Sequence, residues 1–360
     1  MSAFTGTLKS NEIFAALYNM IISQEVFADN IAGTNSALVD KARVDGGLYG
    51  DTKLYYAVDV TKSAPWGNDA EAENLLQLHR PAAPKQQAIT LDQFRQISLT
   101  VDEYLSKRAW GTPSAFSQFN SVILGTIRDT KRVYDSTYYN AFFGTDASTK
   151  ATENVTIDLA AATTGLTGLD KAKMEGVIIA REVADLIDSM TDVSRDYNDY
   201  GFLRSYDEGS IKVVWNKKWL NKLRKVDLPT IFHKDGLIDK FGGDSLHSRF
   251  FGDVVTTAGT VADGTPVRSL IEKDCANGTH VFPGDLLPVG EKYGAKEVYK
   301  ENPNVLCKII VKEPPYMSAF EVGTSFFNPK SLTTNHYLTW GYNTLEHFSN
   351  YPFITVKVKE

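Results

Sequence analysis

The chain has 360 residues, of which 42% are hydrophobic and 23% are charged, a composition typical of a folded protein and not of a disordered one. Its net charge of −6 argues against a surface built to hold nucleic acid tightly, because such surfaces are basic. The two cysteines, Cys275 and Cys307, exclude a disulfide framework, although a single bridge stays open.

The N-terminal residues predict an arm. The sequence does not begin with a basic region, an apolar run and a small-residue cleavage site, and it contains no run of about 18 apolar residues. We therefore expect neither secretion by the common route nor a membrane-spanning segment. Residues 10–29 carry apolar side chains at helical spacing behind Ser10, which is suited to cap a helix. The polar, glycine-bearing residues that follow predict a segment lying on another element.

A long β-hairpin is predicted next. Apolar side chains alternate with other residues over 54–60 and again over 89–101, which favours two strands. The polar stretch between them contains three prolines and suits a long connection. An isolated two-stranded ribbon is marginal in water. The hairpin therefore needs to pack on its own domain or on a neighbouring subunit.

Residues 113–143 form the longest stretch with one helical period. Thr112 is suited to cap this helix, Pro113 to occupy its first turn and Gly144 to end it. Its apolar stripe consists of Phe116, Phe119, Ile123, Ile127, Tyr134, Tyr138 and Ala141. The charged residues that mostly fall off the stripe are Arg128, Asp129, Lys131, Arg132 and Asp135. At about 1.5 Å per residue the helix is roughly 45 Å long, so we expect another element along it. An ordinary core helix of an α+β enzyme is the alternative.

The residues after this helix predict a small α/β unit. Asp170 is suited to cap a second helix, and residues 211–215 predict a buried strand that ends at a helix cap, Asn216. The short basic helix after Asn216 buries Trp219, Leu220 and Leu223. Its cations could contact phosphates, but a solvated face accounts for them as well. Further apolar strands are predicted at 305–311, 338–342 and 354–358.

Signatures of catalysis are mostly absent from the sequence. There is no GxSxG elbow, no GxxxxGK[ST] loop and no HExxH pair, and neither cysteine has a neighbour at metal-ligand spacing. The carboxylates of Asp192, Asp196 and Asp199 could serve as an acid/base set in a cytoplasmic hydrolase. The sequence gives them no buried site, so solvated loop charges are the simpler interpretation. We therefore predict no enzyme, no catalytic residue and no cofactor.

One loop has the spacing of a calcium site. Asp196, Asn198, the Tyr200 carbonyl position, Gly201 and Asp207 follow the pattern D-x-N-x-Y-G-x5-D, which resembles a twelve-residue loop of alternating oxygen ligands. Two positions depart from the pattern, because tyrosine replaces an oxygen ligand at the fifth and aspartate replaces glutamate at the twelfth. A polar turn is therefore the competing interpretation and the favoured one.

The order of arm, hairpin, very long helix, α/β unit and returning strands resembles the major capsid proteins of tailed bacteriophages, which have the Hong Kong 97-type fold. The most specific local match is the helix DKAKMEGVIIAREVADLIDSM, followed by SIKVVWNKKWLNKLRKVD and the turn HKDG. A second match is HYLTWGYNTLEHF, similar to the late strand of that family, in which an aromatic-glycine step precedes further strand residues. The resemblance covers nearly the whole chain and implies an α+β, Hong Kong 97-like capsid fold.

The resemblance also implies a division of the chain. Residues 1–48 correspond to an N-terminal arm and 49–111 to an extended loop, a β-hairpin that reaches over a neighbouring subunit. The peripheral domain comprises 112–165, with the spine helix 113–143, and the return strands 311–360. Residues 166–310 correspond to the axial domain, which meets its copies around five-fold and six-fold axes.

The function implied is that of a non-enzymatic major capsid protein. Copies would form hexamers and pentamers of an icosahedral head, with scaffold and portal proteins as partners, around double-stranded DNA that is held without sequence-specific binding and without a membrane. Assembly would take place in the cytoplasm of the host bacterium and end in the virion. The candidate assembly contacts are Trp66, Leu75, Leu76, Ile97 and Leu99. The shell of an encapsulin-like bacterial nanocompartment is the alternative within the same fold.

Overall fold

The computed structural model describes residues 37–45, 50–63, 78, 80–102, 113–145, 153–225, 244–256, 273–274, 280–281 and 297–359. Several predictions fall outside these residues. They are the helix at 10–29, the helix cap Thr112, the turn at 233–236, a bridge to Cys275 and the candidate contacts Trp66, Leu75 and Leu76.

The chain forms five described helices and fourteen described strands. The helices are α1 Ala37–Ala42, α2 Pro113–Gly144, α3 Leu159–Ala162, α4 Gly168–Thr191 and α5 Lys217–Lys225, with 3-10 turns at Glu208–Ser210 and Ser248–Phe250. The strands are β1 Arg43–Asp45, β2 Thr52–Ala57, β3 Lys85–Asp102, β4 Asn154–Asp158, β5 Lys212–Asn216, β6 Asp244–Leu246, β7 Gly252–Thr256, β8 Lys273–Asp274, β9 His280–Val281, β10 Glu297–Glu301, β11 Val305–Ile310, β12 Tyr316–Asn328, β13 Thr333–Asn343 and β14 Phe353–Lys359.

Sheet 1 has the strand order β1-β12-β13-β3-β2. The 18-residue strand β3 pairs with β2 over its first six residues, 85–90, and with β13 over 91–102. The predicted hairpin is confirmed, because β2 and β3 run antiparallel. It is not an isolated ribbon, however, because most of β3 belongs to a sheet formed with the returning strands. The sequence predicted that the hairpin packs either on its own domain or on a neighbouring subunit. The pairing of β3 with β13 is support from its own chain.

Sheet 2 has the order β4-β14-β11-β5-β6 and packs against α4 and α5. Its strand β11 is buried along its whole length, and burial raises the pKa of the free Cys307 thiol within it. The predicted cap at Asn216 is confirmed, since Asn216 Oδ1 accepts from Lys218 N at 3.0 Å. The predicted cap at Asp170 is wrong. Helix α4 begins at Gly168 after Thr167, so Asp170 lies inside the first turn.

Helix α2 confirms the longest predicted element and the described part of its apolar stripe. It has 32 residues, and Ile127, Tyr134 and Ala141 are buried against sheet 1 while Tyr138 is half-buried. Tyr134 makes an edge-to-face contact with Trp340 at 5.7 Å, and its hydroxyl lies 2.6 Å from that of Tyr342. The side chains of Phe116, Phe119 and Ile123 lie outside the described ones. In its C-terminal half the helix therefore packs against the returning strand β13 through Tyr134 and Tyr138.

Two charged residues of α2 that the periodicity placed off the stripe are buried. Asp135 is 1% exposed, and its carboxylate accepts from Tyr316 Oη at 2.6 Å. Lys131 Nζ and Arg43 Nη2 each lie 3.3 Å from the other carboxylate oxygen. Burial and the neighbouring Asp135 carboxylate raise the pKa of Tyr316, so its hydroxyl stays a donor. One carboxylate thus joins β1, the long helix and β12.

Replacing Asp135 with alanine tests this junction. We expect Asp135→Ala to lower the free energy of unfolding by about 3–5 kcal/mol, because Lys131 then remains buried without its Asp135 partner. Urea denaturation of the subunit measures the loss. Adding Lys131→Met to Asp135→Ala should recover part of it, since the buried cation is then gone. An unchanged unfolding midpoint for Asp135→Ala would contradict the role of this junction.

Gly144 ends α2 where the helix meets the 3-10 turn at Ser248–Phe250. A Cβ atom at position 144 would overlap the carbonyl group of Phe250, so the close approach of the two backbones requires glycine. By contrast, no described atom lies within 4 Å of a Cβ built on Gly125, in the middle of the same helix.

The two glycines of α2 therefore form a matched pair. We expect Gly144→Ala to destabilise the subunit by about 1–3 kcal/mol, because the backbones must separate to admit a methyl group. Gly125→Ala should stabilise it by up to about 1 kcal/mol through helix propensity. Thermal unfolding at one protein concentration measures both. Equal shifts for the two variants would show that the contact with Phe250 is unimportant.

Candidate assembly surfaces

The first exposed apolar surface follows β2 and the residues just after it. Leu54, Tyr56, Val58 and Val60 are exposed, and we call them the β2 surface; Tyr56 is 63% exposed. They occupy alternate positions, so they share one face of the extended backbone. The opposite face is covered by the chain itself, where Tyr55 meets Phe348 edge-to-face at 4.7 Å.

The second exposed apolar surface lies at the far end of the β12–β13 hairpin. Its members are Val322, Phe326, Phe327 and Leu332, which we call the hairpin-end surface; Phe326 is 62% exposed and Phe327 is 48% exposed. Phe326 and Phe327 are neighbours in a strand and therefore point to opposite faces. Each face of sheet 1 thus carries one exposed phenylalanine at this end of the strand.

The two surfaces lie at opposite edges of sheet 1. β2 is the last strand in the order on one side, and β13 and β3 separate it from β12. Among the described residues, β1 covers β12 at Tyr316–Ser318, so β12 is the outer strand over 322–328. That stretch of β12 contains no charged side chain. β2 pairs with residues 85–90 of β3, whereas the outer stretch of β12 lies, through β13, beside residues 96–102 of β3. The two surfaces are therefore also separated along β3, and those of one molecule do not meet each other.

Residues 58–60 and 85–87 lie where the connection between β2 and β3 leaves the ladder, and we call them the root of that connection. They are held by a loop of the same chain, residues 194–204, which we call the clamp loop. Asp59 Oδ2 lies 2.7 Å from Arg195 Nη1, and Asp59 Oδ1 accepts from Leu203 N at 2.9 Å. Arg204 Nη2 donates to the Val58 carbonyl at 2.7 Å. These bonds use groups of the strand just past Ala57, where β2 ends.

The returning strand of the root is held by the same loop. Lys85 Nζ donates to the Tyr200 carbonyl at 3.3 Å and lies 5.0 Å and 5.4 Å from the ring centroids of Tyr200 and Phe202. Cations over aromatic rings are attracted by the ring quadrupole. Both strands of the hairpin are therefore attached to one loop.

The clamp loop is itself closed and internally braced. Ser194 and Arg204 exchange two backbone hydrogen bonds of 2.9 Å at its base. The fully buried Asn198 side chain donates to the Phe202 carbonyl at 2.7 Å and accepts from Phe202 N at 2.8 Å. Gly201 supplies the left-handed backbone, φ +65°, that the turn between them requires. The loop is thus suited to hold other groups in fixed positions.

The C-terminal loop before β14 braces the root from a second side. Gln87 Nε2 donates to the His347 carbonyl at 2.8 Å, and Ser349 N donates to Gln87 Oε1 at 3.1 Å. His347 Nε2 also lies 2.8 Å from Asp199 Oδ2 in the clamp loop. The ammonium of Lys312 lies within 6 Å of three ring centroids, those of Tyr55, Phe348 and Tyr351.

The structure places two of the five candidate assembly contacts. Ile97 and Leu99 lie in β3, where they are half-buried. They pack against the first apolar cluster of the same chain, which contains Tyr134 and Trp340. Their role in assembly stays a prediction. Sequence reasoning did not single out the clamp, because Asp59 and Arg195 are 136 positions apart and neither belongs to a local motif.

The calcium-like spacing corresponds to part of the clamp loop. The Asn198 side chain is committed to the backbone of Phe202, and the Tyr200 carbonyl accepts from Lys85. Asp207 lies beyond the loop at the start of the 3-10 turn Glu208–Ser210. Among the described residues, no three histidine, cysteine or acidic side chains form a group that could hold a metal ion. Of the two interpretations of this spacing, a calcium site and a polar turn, these hydrogen bonds favour the polar turn.

The carboxylates proposed for a hydrolase do not share a buried site. Asp192 and Asp196 are exposed, while the half-buried Asp199 contacts His347. No helix in the described part of the chain is long and apolar enough to cross a membrane.

Solved structures with the same fold come from bacteriophage particles. A chain in the capsid structure of Staphylococcus phage Andhra aligns with 93% of this chain and 87% of its own length, at 12% identity and a TM-score of 0.61. A chain in the structure of the head fibre and inner core protein gp22 of native bacteriophage P68 aligns with 92% of this chain and 87% of its own length, at 13% identity and a TM-score of 0.61. No protein-family model and no curated protein sequence matches the chain. The predicted α+β, Hong Kong 97-like fold is confirmed.

The Asp59 carboxylate should remain ionised in acid. The Leu203 N–H and the Arg195 guanidinium lower the pKa of Asp59 to about 2, below the ordinary value of about 3.9. Its contribution to folding is therefore present above about pH 4 and is lost as the pH falls from about 4 to about 2. Titration of the carboxyl carbon by nuclear magnetic resonance measures the midpoint.

Two variants test whether Arg195 causes the low pKa of Asp59. Arg195→Ala should move the Asp59 midpoint upward, because the nearby cation is gone. Arg181→Ala removes an exposed pair with Glu182 instead and should leave the midpoint unchanged. A midpoint near 3.9 in the unaltered chain would show that the clamp is open in solution.

Proposed function

We propose that this chain is the major capsid protein of a tailed bacteriophage, which self-assembles into an icosahedral head around a double-stranded DNA genome. The observation that carries the proposal is the fold shared with a chain of the Andhra capsid over 93% of the present chain. A shared fold alone leaves function open. The surfaces of this chain supply the further support.

The two exposed apolar surfaces fit self-association. Each surface groups four exposed apolar side chains, whereas the exposed apolar residues of soluble monomers are ordinarily scattered singly. Because they lie at opposite edges of one sheet, the β2 surface of one copy can cover the hairpin-end surface of the next. Such a contact is heterologous, and heterologous contacts form rings when the rotation closes. Hexamers and pentamers are the rings from which an icosahedral shell is built.

In this proposal the parts of the chain take the roles of a capsid subunit. Residues 1–48 form the arm, 49–111 the extended loop, 112–165 and 311–360 the peripheral domain, and 166–310 the axial domain. The pairing of β3 with β13 is consistent with an extended loop that grows out of the peripheral sheet. The arm is anchored to the same sheet where β1 pairs with β12.

The net charge of −6 suits a container for DNA. A wall of the same sign as the genome repels it weakly and does not impede packing or release. We further infer that a scaffold and a portal protein take part in assembly, that assembly takes place in the host cytoplasm, and that the chain ends in the virion without enzymatic activity. An encapsulin-like shell would have the same fold, so particle contents separate the two functions.

Assembly of the purified chain is the direct test. We expect closed shells or capsomer rings in electron micrographs, and encapsulated double-stranded DNA in particles from infected cells. A chain that stays monomeric at all concentrations would refute the proposal. Shells that contain protein cargo and no DNA would favour a nanocompartment.

Charge placed on either apolar surface should weaken assembly. We expect Tyr56→Lys and Phe326→Lys each to raise the concentration required for assembly by at least about tenfold, because a charge must be buried at the contact. Tyr56→Phe and Phe326→Leu keep an apolar side chain and should assemble normally. The pair Tyr56→Lys with Phe326→Glu should regain part of the loss if the two surfaces meet. Sedimentation velocity measures all five variants.

A further inference from the structure

We propose that the clamp loop, residues 194–204, positions the extended loop, so that Asp59, Arg195 and Arg204 set the direction in which the β2 surface is presented to a second copy. This inference rests on the proposed function, since it names the device that aims one of the two assembly surfaces.

The argument begins with the number of attachments. The outgoing strand is held at the Val58 carbonyl and the Asp59 side chain, and the returning strand is held at Lys85. A hairpin attached through one strand can rotate about that attachment. Attachment of both strands to one rigid loop removes this rotation, because any turn of the hairpin breaks bonds on both sides.

The second step concerns what the clamp loop is fixed to. Its residue Asp199 donates its backbone N–H to the Ser349 carbonyl at 2.8 Å, and Tyr206, just beyond it, donates its hydroxyl to the Asn350 carbonyl at 3.2 Å. Tyr206 and α4 also belong to the second apolar cluster, which includes sheet 2. The clamp loop therefore connects residues 58–60 and 85–87 to sheet 2, although the strands β2 and β3 themselves belong to sheet 1.

The third step separates positioning from folding. Neither Asp59 nor Arg195 belongs to any of the three apolar clusters of the described residues. The Arg195 side chain is half exposed. Its Nη1 atom donates to the Gly201 carbonyl at 2.8 Å as well as to Asp59, so one guanidinium links the turn of the clamp loop to the hairpin. Loss of these groups therefore leaves the three apolar clusters intact and loosens the hold of the clamp loop on the hairpin, which Gln87 and Tyr55 still attach to the C-terminal loop.

Two substitutions of Asp59 weaken its contacts with the clamp loop to different degrees. Asp59→Asn keeps an oxygen that can accept from Leu203 N but removes the charge that pairs with Arg195. Asp59→Ala removes both the hydrogen bond from Leu203 N and the ion pair with Arg195. Arg181→Ala is the matched control, because Arg181 lies exposed on α4 and pairs with Glu182. Arg204→Ala, which removes the bond to the Val58 carbonyl, keeps the comparison available if Asp59→Ala does not fold.

Direction is measured in the unassembled subunit. Spin labels are placed at Lys62→Cys in the extended loop and Asp188→Cys on α4, with Cys275→Ser in all chains and Cys307 left buried. We expect a narrow distance distribution for the unaltered chain and for Arg181→Ala. The distribution should broaden and shift for Asp59→Asn, and more so for Asp59→Ala. An unchanged distribution for Asp59→Ala overturns the proposal.

Assembly of the same variants supplies the second measurement. We expect the concentration required for assembly to rise by about tenfold for Asp59→Ala, the effect of losing one charge-assisted hydrogen bond, and by less for Asp59→Asn. A broadened distribution with unchanged assembly overturns the positioning role and leaves the proposed function standing. If the unaltered chain does not assemble, the proposed function fails and this inference falls with it.

Discussion

The carboxylate of Asp135 is the charge on which the arrangement of the chain depends. It lies on α2 among three donors, which are Lys131 one turn earlier on the same helix, Arg43 on β1 and Tyr316 on β12. A buried carboxylate is costly unless donors surround it, so these elements must come together in one arrangement. The apolar stripe brings α2 to sheet 1, and Asp135 determines the register of that contact.

Sheet 1 links regions that a division into domains would separate. Strand β3 pairs with β2 at one end and with β13 at the other, so the hairpin and the returning strands share one set of backbone bonds. The same sheet leaves apolar side chains open at both of its edges, at Tyr56 and at Phe326. The chain is therefore well packed in its interior and exposes apolar side chains at its margins, where in the proposed function a second copy would cover them.

Periodicity in the sequence was sufficient for the longest helices and for several strands, but it missed β12 and the polar contacts. The stripe through Ile127, Tyr134 and Ala141 identified α2 and its buried face, because apolar burial follows from helical spacing alone. The same reasoning placed Lys131 and Asp135 off the stripe. Their burial depends on Arg43 and Tyr316, which are 92 and 181 positions from Asp135. Asp170 was misplaced as a cap for a related reason, since the choice of cap depends on where packing lets the helix begin.

Although it did not predict β12, the sequence by itself determined the type of α2, α4 and α5 and of the strands β2, β3, β5, β11, β13 and β14, the α+β class, the capping of α5 by Asn216 and the need of the hairpin for support. These properties depend on residues that are close together in the chain. The tertiary structure decided which strand supports the hairpin, that Asp59 meets Arg195, and that Asn198 braces a loop. Those contacts join residues that local spacing does not relate, and their energy arises only when distant groups leave water together and satisfy one another.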